Sequence, residues 1–321
     1  MEIPSLSPTG TRIRRFELAD LPRVAEIRNA SVAISRDFYS MTVDRVRPPS
    51  EAGAHPVTSE ILVAEVDGRV EGYVHLYTDP GLLTHGRINI DAFHVRPECQ
   101  RTGLGSQLLQ AAVEKAREWH GRYLSIAIPD GIASSREFLL KHGFNVVRTF
   151  FKLRHPELAL LPAPELPEGY RFRAFRQGID EAEFLRLLNT SFAEHWDFAP
   201  VTAEELERWK QRPDFNPKGC FFIQGPDGSD VAVATVLIDR PSEAPDAGAT
   251  PARLFEFGVL PAHRSRGLGR AILQKAAEFA RHEELGELEL VVDGEDGPAR
   301  AMSERAGFLE KRSILVLHRP L

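Results

Sequence analysis

Two short glycine-rich loops have the residue types and spacing best suited to ligand chemistry in this sequence. The first reads Gln100-Arg-Thr-Gly103-Leu-Gly105, and the second reads Arg264-Ser-Arg-Gly267-Leu-Gly269. Glycine at such positions lets successive backbone N–H groups converge, and it lets an anion approach the main chain closely. Each loop therefore predicts a binding site for a phosphate-bearing ligand, and a diphosphate suits such a site best.

A helix is predicted directly after each loop, because apolar residues recur there at helical spacing. The two apolar stripes are Leu104, Leu108, Ala112 and Ala116, and Leu268, Ile272, Ala276 and Ala280. The first N–H groups of a helix have no intrahelical partner, and the helix dipole favours an anion at that end. Nearby arginines add positive charge, namely Arg101, Arg264, Arg266 and Arg270.

Two other classes of glycine loop are excluded by the residues that follow the glycines. A nucleoside-triphosphate P-loop has Lys-Ser/Thr after its last glycine, but Gly105 is followed by Ser106 and Gly269 by Arg270. A dinucleotide-binding fingerprint needs a third small residue three positions after the second glycine. Leu108 and Ile272 stand at that position.

The loops belong to a longer internal repeat. Residues 95–117 and 259–281 are identical at 11 of 23 positions, at a constant offset of 164. The same offset relates Gly143-Phe144 to Gly307-Phe308. Matches in one order with a nearly constant offset predict a duplicated domain.

Each half shows the same predicted order of elements, which is typical of an α/β fold with a central mixed sheet flanked by helices. In each half, a strand and a helix are followed by two hairpin strands. A further strand then runs into the glycine loop. After the loop come a long helix, a strand, a short helix and a closing strand. The proline-rich stretch His155–Gly169 predicts a semi-rigid connector. We therefore predict domains at residues 1–154 and 169–321 with a linker at 155–168. A second Pro/Gly/Ala-rich stretch, Pro241–Pro251, predicts a long hairpin loop.

Amino-acid composition excludes some classes of binding partner and indicates the cellular compartment. The formal net charge of −6 argues against nucleic acid as the main partner, because binding phosphate backbones needs a basic face. Cys99 and Cys220 are the only cysteines, which excludes a disulfide framework and a cysteine zinc site, and we predict no metal. The N-terminal stretch MEIPSLSPTG has no apolar core, so we expect it not to be a secretory signal, and no apolar run approaches the ~20 residues needed to cross a bilayer. We expect a soluble cytoplasmic protein, a monomer or homodimer, without a membrane or nucleic-acid partner.

The strand ending in Val-x-Pro, the glycine loop and the later Gly-Phe helix end together resemble the GNAT N-acetyltransferase family. The resemblance covers both halves, roughly residues 10–153 and 169–321, and it implies acetyl-coenzyme A as cofactor. In that family the main chain of the motif strand pairs with the pantetheine arm, and the loop amides hold the pyrophosphate. The implied cofactor contacts are Phe93, Val95, Gln100, Arg101, Thr102, Gly103, Leu104, Gly105 and Ser106 in the first half, and Phe257, Val259, Arg264, Ser265, Arg266, Gly267, Leu268, Gly269 and Arg270 in the second. The tandem arrangement resembles the mycothiol synthases, in which one copy catalyses and the other mainly binds cofactor.

Acyl transfer to an amine needs a group that removes the amine's proton. The family often places this base four or six residues before the motif valine. The first half has Asp91 and Asn89 there, whereas the second half has Phe255 and Arg253, which cannot serve. Glu256 lies three residues before its valine, on the opposite strand face unless a bulge shifts the alternation. Asp91 and Glu256 are therefore the candidate catalytic bases, and the first half is the slightly better-equipped catalyst.

The family's usual general acid is missing. A tyrosine commonly stands four residues before the Gly-Phe glycine, but this chain has Leu139 and Ser303 there. The predicted function is an acetyl-coenzyme-A-dependent N-acetyltransferase acting on an amine of a small molecule or peptide. The alternative is a coenzyme-A-binding pseudoenzyme in which neither half turns over. The segment Phe192–Phe198 borders the acceptor pocket of such folds, so it could hold the amine.

Overall fold

The computed structural model describes residues 10–32, 58–78, 80–238 and 251–321. Their contacts divide the chain into two compact units. Unit 1 comprises the described residues up to Val147 together with Leu315–Leu321, and unit 2 comprises Arg148–Ile314.

Unit 1 is a mixed sheet with helices on its faces. Its strands are β1 (Thr11–Arg15), β2 (Thr58–Val66), β3 (Arg69–Thr78), β4 (Arg87–Val95) and β5 (Tyr123–Pro129), and its helices are α1 (Leu21–Val32), α2 (Pro80–Thr84), α3 (Leu104–Glu118) and α4 (Ala133–Lys141). The first four strands pair antiparallel in sequence order, and β4 pairs parallel with β5. Next to β5 lies the C-terminal segment of the chain, where the Leu321 amide donates to the Arg122 carbonyl at 3.0 Å.

Unit 2 repeats this plan. Its strands are β6 (Asn145–His155), β7 (Arg171–Ala174), β8 (Cys220–Gln224), β9 (Asp230–Ile238), β10 (Ala252–Val259), β11 (Leu288–Asp293) and the first part of β12 (Leu309–Pro320); its helices are α5 (Glu181–Phe192), α6 (Ala203–Lys210), α7 (Leu268–His282) and α8 (Gly297–Arg305). Strands β7, β8, β9 and β10 pair antiparallel in order, β10 pairs parallel with β11, and β6 pairs antiparallel with β11. The sheet is therefore mixed in both units.

Each sheet buries its two faces against different helices. In unit 1 the stripe of α3 that includes Leu104 and Leu108 packs with Ile88 and Ile90 of β4 on one face. On the other face, α1 forms a smaller cluster in which Ala92 of β4 takes part. In unit 2, α7 and α5 cover the corresponding faces. Because the apolar stripes of α3 and α7 are buried against the sheets, each of these helices lies beside the strand that precedes it. The glycine loop connects the end of that strand, β4 or β10, to the start of the helix.

The compact units differ from the predicted halves in their last strands. Residues from Arg148 onward in β6 belong to unit 2, whereas the end of β12 belongs to unit 1. Charge complementarity accounts for the pairing of β6 with β11, because basic residues of β6 face acidic residues on and beside β11. The facing ion pairs are Arg148–Asp293, Lys152–Glu289 and Arg154–Glu287. The expectation that each half closes its own sheet with its own last strand is therefore wrong.

The helices and strands predicted from periodicity are present with bounds that differ by a few residues. Both short helices end as expected, before Gly143 and Gly307 with φ of +83° and +91°. The predicted loop Pro241–Pro251 lies outside the described residues except for its last position. Among the helices that the structure describes, none has the length and apolar composition needed to cross a membrane.

Candidate active site

The two glycine loops share one backbone conformation. Gly103 and Gly267 have φ of +92° and +84°, in the left-handed region that glycine adopts without steric cost. Arg101 and Ser265, two residues earlier, also have positive φ, of 61° and 60°. A Cβ atom added to Gly103 or Gly267 would meet no atom within 4 Å, so the space over both glycines is open.

Helices α3 and α7 begin immediately after these glycines, which occupy the N-cap positions and have no side chain with which to cap the helix. Uncapped N–H groups at the start of a helix are strong donors, and they lie at the positive end of the helix dipole. The open space above each of these N-termini has the size and donors that a diphosphate needs.

Two of the predicted contact residues brace the loops from within. Gln100 Nε2 donates to the Val95 carbonyl at 3.0 Å, and Arg264 Nε donates to the Val259 carbonyl at 3.2 Å. These equivalent bonds tie each loop to the last residue of its motif strand. The side chains of Gln100 and Arg264 therefore fix the shape of their loops.

Three further loop side chains also have partners inside the protein. Thr102 Oγ1 donates to a loop carbonyl at 2.8 Å, and Ser106 Oγ lies 2.8 Å from His142 Nε2. Arg266 Nη1 donates to Tyr170 Oη at 3.3 Å. A phosphate that binds these side chains has to share them with the protein.

Four of the remaining loop residues fall into two classes. The side chains of Leu104 and Leu268 are buried in the cores, so a ligand meets these residues through their backbone. Arg101 and Arg270 form no hydrogen bond or ion pair with other described residues, so their charges are available to an anion.

A slot opens along one side of each motif strand, which is β4 in unit 1 and β10 in unit 2. It forms because the motif strand and its parallel neighbour are paired over only part of their length. Strand β4 pairs with β5 over Arg87–Ile90, and β10 pairs with β11 over Ala252–Leu254. The later residues of each motif strand remain paired on their other side, to β3 and β9. Their backbone groups facing the slot can therefore pair with an extended ligand, as a further strand would.

A β-bulge marks the start of each slot. In β4 the register skips Asp91, and in β10 it skips Phe255, which is the equivalent position in the repeat. Before the bulge, Leu254 packs on the α7 side; after it, Phe257 packs on that side. The extra residue shifts the alternation, so Glu256 shares the α5-facing side of the sheet with Gly258. The bulge lies before Glu256, and no bulge separates Glu256 from Val259, so Glu256 remains on the strand face opposite Val259.

Glu256 is a partly buried carboxylate without a partner. No residue of the described ranges gives it a hydrogen bond or an ion pair. Burial disfavours the charged form and raises the pKa of Glu256 to about 7. Glu256 lines a cavity of about 1800 Å³ in unit 2 that also includes the glycine loop from His263 to Arg270. Phe192 and His195 of the predicted acceptor segment line the same cavity, and so does the preceding Ser191.

Asp91 has different surroundings. Its side chain is 61% exposed, and its Oδ2 lies 3.1 Å from Nδ1 of His75. The hydrogen bond from His75 holds the pKa of Asp91 below its usual value. Asp91 is therefore a carboxylate that stays ionised at neutral pH, whereas Glu256 titrates there.

Comparison with known proteins identifies the family. The model of the acetyltransferase (GNAT) family matches residues 25–144 and 182–308. The chain belongs to the GNAT acetyltransferase family. A mycothiol acetyltransferase from Salinispora arenicola is 30% identical over 95% of each chain, and one from Thermobispora bispora is 31% identical over 67% of this chain and 70% of the relative.

Solved structures show that this tandem fold recurs. A GCN5-related N-acetyltransferase from Sphaerobacter thermophilus aligns with a TM-score of 0.76 at 21% identity, covering 98% of this chain and 96% of that one. A tandem GNAT protein from the clavulanic acid biosynthesis pathway aligns with a TM-score of 0.71 at 16% identity, covering 97% and 98%. The predicted family, fold class and enzyme class are confirmed.

As a GNAT acetyltransferase, this protein uses acetyl-coenzyme A as its acetyl donor. The open cradles over Gly103 and Gly267 fit the donor's pyrophosphate, and the slots fit its extended arm. No acid stands at the family's usual tyrosine position. Leu139 is buried, and Ser303 is fully buried and donates its hydroxyl proton to the Ala299 carbonyl at 3.0 Å.

The wall of this GNAT cavity contains a buried carboxylate that sequence patterns did not reveal. Glu289 of β11 is 2% exposed and forms ion pairs with Lys152, Arg154 and Lys311. Burial opposes its ionisation, but these cations hold the pKa of Glu289 below its usual range. Glu289 alternates with the apolar core residues of its strand, and nothing local in the sequence marks it as buried.

We expect Glu289→Gln to destabilise the protein by about 1–3 kcal/mol, because it leaves three partly buried cations without their shared anion. Urea unfolding at pH 7 measures this loss. Glu310→Gln is the control, since Glu310 is an exposed carboxylate paired with Arg300. Equal stability of both variants would show that the cluster contributes no more than a surface ion pair.

Proposed function

We propose that unit 2 transfers the acetyl group of acetyl-coenzyme A to an amine and that Glu256 is the general base. The observation that carries this proposal is the unpaired Glu256 carboxylate, which has a pKa of about 7 and lines the cavity that contains the glycine loop. A general base works best when its pKa lies near the operating pH. The sequence favoured the first half slightly, but the geometry favours the second.

The catalytic step needs three contributions from the protein. The cofactor supplies the activated acetyl group as a thioester. Gly267 and the N-terminus of α7 hold the pyrophosphate, and the open side of Phe257–Val259 aligns the arm toward the bulge. Glu256, at the bulge, takes the proton from the attacking amine. Solvent protonates the departing thiolate, since a thiol with a pKa of ~8.5 needs no strong acid.

Both units are proposed to bind acetyl-coenzyme A, because both loops keep the open glycine, the uncapped helix and the slot. Isothermal titration calorimetry is expected to give a stoichiometry near two. A stoichiometry of one in the unmodified protein would limit the cofactor to a single unit.

The test of the transferase proposal is release of free coenzyme A from acetyl-coenzyme A in the presence of a panel of amines. The matched relatives are named for mycothiol, so a mycothiol-related amine is the first acceptor to include, followed by other small-molecule amines and peptides. The pseudoenzyme alternative predicts binding without acceptor-dependent release. The unpaired base in the cavity favours turnover over that alternative.

Cellular setting and assembly are also part of the proposal. We place the activity in the cytoplasm, since two cysteines without a disulfide framework suit a reducing compartment. We expect a monomer or homodimer, which sedimentation velocity distinguishes directly.

A further inference from the structure

The hydroxyl of Ser106, in the first turn of α3, is bonded to an imidazole at the end of α4. Ser106 Oγ lies 2.8 Å from Nε2 of His142, the C-cap residue of α4. Nδ1 of His142 lies 2.8 Å from the Phe138 carbonyl oxygen, and the centroids of the His142 and Phe138 rings are 4.2 Å apart. The Phe138 ring also packs on Gly105, where an added Cβ would lie 3.4 Å from it. The imidazole is therefore held in one orientation beside the glycine loop of unit 1.

The two hydrogen bonds of His142 decide which of its nitrogens carries a proton. A carbonyl oxygen can accept but not donate, so Nδ1 of His142 donates to Phe138. In the neutral imidazole Nε2 has no hydrogen, and it accepts the hydroxyl proton of Ser106. A serine hydroxyl has one proton to donate. While His142 is neutral, Ser106 therefore has no hydrogen to offer to a phosphate oxygen.

Protonation of His142 reverses the direction of this hydrogen bond. An imidazolium donates from both nitrogens, so Nε2 donates to Ser106 Oγ, and the serine hydroxyl is released to donate to another acceptor. Ser106 is the third residue of α3, in the turn whose free N–H groups favour an anion. A diphosphate bound at this turn supplies both the acceptor that the serine needs and the negative charge that favours an imidazolium.

Unit 2 has a permanent charge at the corresponding place. The offset of 164 that relates the two copies pairs Ser106 with Arg270. It pairs His142 with Ala306, which cannot titrate. A guanidinium stays protonated in proteins. The two copies therefore differ at one position of the diphosphate site, with a fixed charge in unit 2 and a charge that depends on protonation in unit 1.

The charged groups near His142 are cations. Among the described residues, no carboxylate forms an ion pair with His142. Lys141 precedes it on α4, and the glycine loop contributes Arg101. From the end of β12, Arg319 places its Nε 3.8 Å from the position of a Cβ on Gly143. The first turns of α3 and α4 contain no acidic residue. Because like charges disfavour an imidazolium, the second proton of the ring depends on an anion that a ligand brings.

We propose that His142 is a positioning residue of the cofactor site in unit 1, which takes up a proton on Nε2 when acetyl-coenzyme A binds and thereby turns the Ser106 hydroxyl toward the pyrophosphate. This inference rests on the proposal that both units bind acetyl-coenzyme A. The proton comes from solvent, and no covalent bond to carbon, sulfur or phosphorus changes. The affinity of unit 1 for acetyl-coenzyme A therefore falls as the pH rises above about 6.5, where a histidine ordinarily titrates.

Calorimetry on two single-site variants tests the proposal. Gly267→Val leaves the site of unit 1, and Gly103→Val leaves the site of unit 2. Each is titrated with acetyl-coenzyme A in buffers of different ionisation enthalpy, which gives the number of protons taken up. The phosphates of the ligand titrate in both experiments, so the difference between the variants belongs to the protein. Near pH 7 we expect Gly267→Val to take up roughly 0.5–1 proton more than Gly103→Val, with an extra loss of affinity of about tenfold between pH 6 and pH 8.

His142→Gln, added to Gly267→Val, separates the proton from the hydrogen bond. The glutamine amide still donates to Ser106 but takes up no proton, so the extra uptake and the extra pH dependence should both disappear. Ser106→Ala should lose most of both, because it removes the link between imidazole and phosphate. His85→Gln is the control, since His85 is an exposed histidine of the same unit. Extra uptake that persists in His142→Gln overturns the proposal.

Nitrogen-15 NMR of the histidine rings observes the same proton in the unmodified protein, and the spectrum of His142→Gln identifies the signal. At pH 7 the protonated fraction of Nε2 should rise when the protein is saturated with acetyl-coenzyme A, because the bound diphosphate favours the imidazolium. An unchanged fraction in the saturated protein contradicts the role of His142.

The calorimetric outcomes separate this inference from the cofactor proposal on which it rests. If Gly267→Val binds no acetyl-coenzyme A at any pH, the site of unit 1 is refuted, and the role of His142 with it. If Gly267→Val binds the cofactor with the same proton uptake as Gly103→Val, the site of unit 1 stands and the role of His142 alone is refuted.

Discussion

Glutamine in place of Glu256 is expected to lower kcat for the unit 2 reaction by about 10²–10⁴-fold, the usual contribution of a general base. Gln is nearly isosteric and accepts no proton, so acetyl-coenzyme A affinity should stay the same. Stopped-flow or thiol-coupled detection of coenzyme A measures the rate, and calorimetry measures the affinity. Glu278→Gln is the matched control, because Glu278 is a carboxylate of the same unit that pairs with Lys275.

The pH profile gives an independent check on Glu256. The base acts in its deprotonated form, so kcat/KM should rise with pH through about 7. In Glu256→Gln this limb should vanish, leaving only the rise that follows deprotonation of the amine. The free energy of unfolding should instead fall as the pH rises, because ionising a carboxyl with a raised pKa costs free energy in the folded state. The wild type therefore loses stability between the pKa of the unfolded state and about pH 7. Glu256→Gln should therefore have the higher Tm at pH 8, and an equal Tm there would contradict the burial argument.

Gly267→Val is expected to weaken acetyl-coenzyme A binding at unit 2 by roughly 10²–10⁴-fold, equivalent to losing two charge-assisted hydrogen bonds. The space above Gly267 is open, so the valine side chain meets no protein atom and stands where the diphosphate must approach the backbone. Positive φ adds strain of about 1–2 kcal/mol for a residue with a Cβ. Calorimetry should then report one remaining site, in unit 1.

Gly103→Val is the reciprocal variant, and it should remove the unit 1 site alone. Gly286→Ala is the control within unit 2, since Gly286 has open space around its Cα without a positive φ. Gly269 is unsuitable for this test, because an added Cβ would lie 2.6 Å from Met302 Sδ and would disturb packing. Two unchanged sites in both valine variants would refute the diphosphate assignment.

The sequence predicted most of the fold because its local signals agree with one another. The apolar stripe behind each loop, the glycine after each short helix and the repeat all specify the same elements. The exchange of last strands could not be predicted in this way. It depends on which acidic strand β6 pairs with. Lys152 and Glu289 form an ion pair although they lie 137 positions apart, and such a pair produces no signal in local periodicity.

The residues of the site likewise differ in whether a local sequence signal predicts them. The loop glycines carry their own signal, because their spacing is tied to backbone geometry. The surroundings of Glu256 and Asp91 depend on a bulge and on cross-strand neighbours, which alternation alone does not specify. A bulge between Glu256 and Val259 would have brought both residues to one face, but the strand register has its bulge one residue before Glu256.

The exchanged strands have a consequence for how this chain is made. On the ribosome, unit 1 cannot complete its sheet until residues 315–321 have emerged, although most of its residues are synthesised first. Strand β6, by contrast, waits for a partner, β11, that is synthesised more than a hundred residues later. A cut in the connector near Pro162 would leave each fragment short of a strand that its own sheet requires. We therefore expect that neither copy can be expressed alone without exposing an open sheet edge.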